Sequence, residues 1–151
     1  MKTFFLTFIL IITLNSCSND NSSAPFVPVT ITPVLIGKGY FGSGENFTPE
    51  NLVISNQVDW NTFLTQINVN INYSSTFSET NINFTNFKII AIIDSQRGHT
   101  GHSINIDTVI ENLDNITVNY SLLNSGDGYT TMIQPYHIIR IPRINKPVIF
   151  Q

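Results

Sequence analysis

Charge is scarce in this 151-residue chain: Asp, Glu, Lys and Arg make up 11% of it, and its basic residues form no cluster. Nucleic-acid binding needs grouped Lys and Arg to neutralise phosphates, so the composition argues against it. Cysteine occurs once, at Cys17, which excludes an internal disulfide. No apolar run reaches the roughly 20 residues that a membrane-crossing helix needs. There is no Gly-x-Ser-x-Gly elbow, and the acids are scattered rather than paired, so two common hydrolytic arrangements lack their sequence marks. What is plentiful is Asn, Ser, Thr and Ile. Uncharged polar surfaces over β-branched interiors belong to β-rich exported modules.

The longest apolar stretch is at the start. Lys2 precedes an apolar run over 4–14 broken only by Thr7 and Thr13, the form of a secretory h-region. Leu14-Asn15-Ser16-Cys17 follows at once and resembles the lipobox of bacterial lipoproteins. That resemblance implies removal of residues 1–16 as a signal peptide, and a diacylglyceryl group with an amide-linked acyl chain on Cys17. Each buried methylene contributes about 0.8 kcal/mol and one chain binds only reversibly, so several chains together make a stable anchor. The expected location is the cell envelope, on a membrane but not through it. Ser18 is compatible with outer-membrane sorting in a Gram-negative cell. Cleavage leaves six basic residues against ten acidic ones, a formal charge of −4.

Residues 17–33 read as the lipidated Cys and a tether, polar in its first half. The second half, with Pro28 and Pro33, reads as extended and edge-like. Residues 34–151 read as one domain. Trp60, Phe63, Leu64 and Ile67 fall at i, i+3, i+4 and i+7, a helical stripe over about 57–67, with Asn56 as N-cap and Asp59 in the first turn. Residues 68–86 read as a long loop with one short strand at most. The continuous run 87–93 suits a strand buried on both faces. Ile104, Ile106 and Ile110 alternate with polar residues, as do Ile116, Val118, Tyr120 and Leu122, and 111–115 joins the two as a hairpin. Residues 124–128 signal a turn. Strands are expected at 130–133 and 136–141, with Pro135 and Pro142 as breaks, and 148–150 closes the chain. The expected class is α+β, predominantly antiparallel β, a sandwich or barrel-like sheet with one main helix.

Four constellations invite chemistry. Gly37-Lys38-Gly39-Tyr40-Phe41-Gly42 fits the dinucleotide fingerprint, but Ser43-Gly44-Glu45-Asn46-Phe47-Thr48-Pro49 cannot begin the helix that such a site requires, so a glycine-permitted bulge or turn is expected and no cofactor. His99 and His102 could ligate metal with His137, Asp94 or Asp107. Zinc needs three or four ligands at about 2.0–2.3 Å, and an i, i+3 pair on extended backbone points to opposite faces, so no metal is expected. A triad of Ser103 with His102 or His137 and Asp94 or Asp107 has no supporting motif. Trp60 shares the helical stripe and reads as core rather than as a sugar platform.

Three stretches carry a family resemblance. They are Lys88-Ile89-Ile90-Ala91-Ile92-Ile93-Asp94; Arg97-Gly98-His99-Thr100-Gly101-His102-Ser103-Ile104-Asn105-Ile106; and Gln134-Pro135-Tyr136-His137-Ile138-Ile139-Arg140-Ile141-Pro142 with Val148-Ile149-Phe150. Upstream, Gly37-Lys38-Gly39 and Asp59-Trp60-Asn61-Thr62-Phe63-Leu64 fit more loosely. Together they resemble the C-terminal domain of the PrcB family, named for a lipoprotein that associates with and stabilises a secreted subtilisin-like protease. Thr100 and His102 depart from it, standing where a glycine and an aromatic residue are usual. The resemblance implies a non-catalytic, lipid-anchored module that binds a partner exported protein such as a protease. It brings no catalytic residues. The expected docking element is the loop Arg97, Gly98, His99, Thr100, Gly101, His102 and Ser103, or an exposed edge strand. The alternatives are a glycan- or ligand-binding lipoprotein using Trp60, Tyr40 and Phe41, and a metal-dependent hydrolase around His99, His102 and His137.

Overall fold

The apolar run at 87–93 sets the architecture. In a computed structural model, which describes residues 24–151, it forms strand β4 (Phe87–Ile93). The signal peptide, Cys17 and the first part of the tether lie outside the described residues. Successive side chains of a strand point to opposite faces. Ile89, Ala91 and Ile93 therefore enter one core, and Ile90 and Ile92 a second. The neighbouring strand β7 (Gln134–Pro142) divides in the same way, with Tyr136 and Ile138 on one side and Ile139 and Ile141 on the other.

Around this pair stand β2 (Val34–Phe41) and β3 (Glu50–Ile54), giving an antiparallel sheet in the order β2-β7-β4-β3. A second sheet, β1-β5-β6-β8, is built from β1 (Val29–Thr30), β5 (His102–Glu111), β6 (Ile116–Asn124) and β8 (Val148–Phe150). Only β8 pairs in parallel, along β6. The two sheets enclose Ile104, Ile106, Val109, Ile116 and Val118 with the second face of β4 and β7. The other face of the first sheet is covered by helix α1 (Gln57–Ile67) and the segment after it. The fold is α+β and mostly antiparallel, in three layers.

Helix α1 forms as its pattern dictates. Asn56 caps it, accepting from Asp59 N at 2.9 Å, and Trp60, Phe63 and Ile67 are buried while Leu64 packs at the margin. Trp60 has no exposed surface, and its indole N–H donates to the Thr80 carbonyl at 2.8 Å. A buried Trp with its one donor satisfied is a core residue.

Several expectations are corrected. The packed domain begins before residue 34: Val29 and Thr30 pair with Glu111 and Ile110, and Ile31 is buried. The expected bulge does occur, between Leu35 and Gly37, but both Gly37 and Gly39 lie inside β2, which runs on to Phe41 rather than turning. At Gly37 an aromatic ring lies on the strand: a Cβ there would sit 2.6 Å from the Phe77 ring, whereas one at Gly39 would meet Tyr136 at an ordinary 3.4 Å or more. Segment 68–86 is the loop expected, with a short 3-10 turn (Tyr73–Thr76) and no strand. Residues 130–132 are irregular, and Ile133 makes only an isolated bridge to Arg97. Pro135 does not break β7. It stands one residue from the strand's start, where its carbonyl accepts from Asp94 N at 2.9 Å. Pro142 is the last residue of the strand, so the expected break falls just beyond it.

Candidate functional site

The segment 97–103 turns back on itself and meets a second loop, 124–133, at one end of the molecule. Arg97 and Ile133 exchange backbone hydrogen bonds of 2.8 and 2.9 Å. Thr100 N donates to the Tyr129 carbonyl at 3.1 Å, and Tyr129 N donates to Thr100 Oγ1 at 2.9 Å. Ser125 N closes the pair on the Gly101 carbonyl at 3.0 Å. Gly126 and Gly128 have φ of 76° and 150°, conformations that favour glycine. Gly101 is equally constrained, because a Cβ there would lie 2.0 Å from the Asp127 carbonyl oxygen. The backbone of this double loop is thus bonded from both sides.

Its base is held as firmly. Arg97 grips Asp94 with two hydrogen bonds, at 2.7 and 2.8 Å. Burial works against the Asp94 charge, yet hydrogen bonds from Arg97 and from Ser95 outweigh it and hold the carboxyl below its ordinary pKa. Gln134 is 1% exposed with both polar atoms partnered: Nε2 donates to the Phe47 and Asp94 carbonyls at 2.7 and 2.9 Å, and Oε1 accepts from Phe47 N at 3.0 Å.

The double loop and the adjoining end of β6 display apolar surface. Tyr129 is 85% exposed, and Leu122, Leu123 and Met132 are also exposed. A cleft of about 250 Å³ opens between the sheets at this end, lined by Glu50, Asp94, Ser95, Ile104, Tyr120 and Leu122. Tyr129 follows Gly126-Asp127-Gly128 directly, so an aromatic just past a glycine turn was the sequence mark that went unused.

His99 and His102 do not point apart as extended backbone would require. The reversal between them brings the rings to 4.3 Å between centroids. His99 Nδ1 is occupied, accepting from Gly101 N at 3.2 Å. His137 stands elsewhere, in the interior between the sheets, where its Nδ1 accepts from Ile106 N at 3.0 Å. Burial first, and the Lys38 charge second, push its pKa down to about 4. Among the described residues no three His, Cys, Asp or Glu side chains converge as a metal-ligand set. Asp94 is bonded to Arg97 and Ser95, while Asp107 is bonded to Asn105 and Ser121. Neither these carboxylates nor Ser103 hydrogen-bonds a histidine. Of the three aromatics considered for a sugar platform, Trp60 and Phe41 are fully buried and only Tyr40 is half exposed.

Fold and site define a class: a β-rich α+β domain whose layers support a hydrogen-bonded double loop that presents Tyr129 at one end. Set against known proteins, the chain matches no family model, no curated protein and no solved structure.

Proposed function

We propose that this protein is a lipid-anchored, non-catalytic accessory module that docks on and stabilises another exported protein through its double-loop end. The observation that carries the reading is Tyr129, 85% exposed on a backbone that Thr100 and Gly101 hold in place. Tyrosines presented by rigid backbone are favoured interface anchors, because little conformational freedom is lost when they bind. The cleft beside Tyr120 and Leu122 offers room for a partner side chain. The lipobox over 14–17 supplies the anchor, and the resemblance of residues 87–150 to the PrcB family supplies the kind of partner, an exported protease.

Affinity capture of the tagged, lipidated protein from its own host's membranes after crosslinking tests the proposal. The expected result is one exported protein in near-equal amount, lost in Tyr129→Ala. That variant keeps the backbone bonds of the loop and removes only the exposed ring. Loss of an anchor of about 2 kcal/mol weakens binding roughly 30-fold. Capture of the protein alone across growth conditions, or capture that Tyr129→Ala leaves untouched, would refute the reading.

A further inference from the structure

Lys88 is the second residue of the most buried strand and is 5% exposed. It faces the interior between the sheets and lines a pocket of about 260 Å³ with Val53, Ser55, Arg143, Asn145 and Lys146. An ammonium group carries three donors. Lys88 Nζ uses one, in a 3.4 Å bond to the Lys146 carbonyl. Arg143 donates to the carbonyls of Ser55 and Phe84, both neutral. Lys146 differs: Glu111 neutralises it at 2.6 Å. The fold thus supplies a carboxylate for the outer lysine, while among the described residues neither Lys88 nor Arg143 forms an ion pair, and no acid lines the pocket.

A buried cation without a counter-charge is costly. Burial and the nearby Arg143 both lower the Lys88 pKa, the direction expected of an amine with no anion beside it. We propose that the pocket between β3, β4 and the 143–148 turn is a binding site for a small oxyanion of the phosphate type, with the Lys88 ammonium as its direct ligand and Arg143 as the second positive charge. Ser55 and Asn145 line the same pocket and offer further donors. The site lies apart from the double loop and does not depend on the docking proposal.

The mature lipidated protein in detergent, heated with sodium phosphate or with sodium chloride at matched ionic strength, provides the test. Phosphate at ten times its Kd is expected to raise Tm by about 3–5 °C in a saturable way, and chloride is expected to have no such effect. Lys88→Met is expected to match or exceed the wild-type Tm without phosphate, because it removes an unpaired buried charge, and to bind phosphate at least about 10-fold more weakly. Amide NMR signals of Ser55 and Asn145 are expected to move with phosphate in the wild type and to stay still in Lys88→Met. A Tm rise that chloride reproduces, a rise that Lys88→Met retains, or no saturable rise at all would each overturn the assignment.

Discussion

Replacing Gly37 by alanine tests the packing of aromatics onto β2. The new methyl would sit 2.6 Å from both Cδ1 and Cε1 of Phe77. Carbon atoms pack at about 3.5–4.0 Å, so the ring has to retreat by about 1 Å. Its freedom is limited, since Phe77 lies 6.4 Å from Trp60 and 6.1 Å from Tyr136 between ring centroids. Overpacking of this kind costs about 1–3 kcal/mol, and the stiffer unfolded chain returns about 0.4–1. The net expectation is a loss of up to about 2.6 kcal/mol, centred near about 1.3, or roughly 4–6 °C in Tm at the centre. Trp60 is the only tryptophan, so denaturant unfolding followed by its emission reports on this same core. Gly98→Ala is the control: nothing lies within 4 Å of its Cβ, and its φ is not in the positive range. It is expected to be neutral or to stabilise by up to about 1 kcal/mol. In a Phe77→Ala background the cost of Gly37→Ala should vanish. A Gly37→Ala protein as stable as wild type, or one whose cost survives loss of Phe77, would refute the reasoning.

Gln134→Leu leaves Phe47 N, Phe47 O and Asp94 O without their partner. It is expected to cost about 2–3 kcal/mol and to speed amide exchange at Phe47; unchanged exchange there would show that Gln134 does not hold the 45–48 loop. His137 is 7% exposed and titrates at about 4 against an ordinary 6.5, so the unfolded chain takes up a proton that the folded one refuses. Stability is full above about pH 6.5 and falls as pH drops towards 4, by up to about 3 kcal/mol from this group. Denaturant midpoints between those limits should show the slope, and His137→Asn, which keeps an acceptor for Ile106 N, should flatten it.

Elements that bury one face or two were legible before the structure. Helix α1 showed in its stripe and cap, β4 in its unbroken apolar run, and β5 and β6 in alternation. Strand β3 was not, because it is short, lies at the sheet edge and begins with Glu50 and Asn51. Residues 130–133 have strand-like composition, yet the neighbouring backbone bonds go to Thr100 and Arg97, and sequence pattern does not register such long-range demands. The glycines of β2 read as a bulge or turn; the bulge is there, but the pattern shows only a missing side chain, not the Phe77 ring that requires its absence at Gly37. Of the candidate site, 97–103 was legible as a unit. Its partner loop and Tyr129 were not, since only the fold brings them together. Lys88 stood in plain view as a charge inside an apolar strand.

Under the proposed anchoring at Cys17, the first strand takes on a mechanical meaning. Residues 17–28, drawn out, reach roughly 40 Å at ~3.3 Å per residue. Pulling from the membrane would first load the Phe26 ring, whose centroid lies 4.6 Å from Lys146 Nζ, and then β1, a two-residue strand pairing with the end of β5. Short edge strands peel before a sheet shears, and release of residues 29–33 would add roughly 16 Å of reach at the same extension per residue. The domain behind it, closed by β4 and β7, would stay folded. On that proposal, the junction between tether and domain would act as a length of spare rope, let out under tension and rewound when the load is gone.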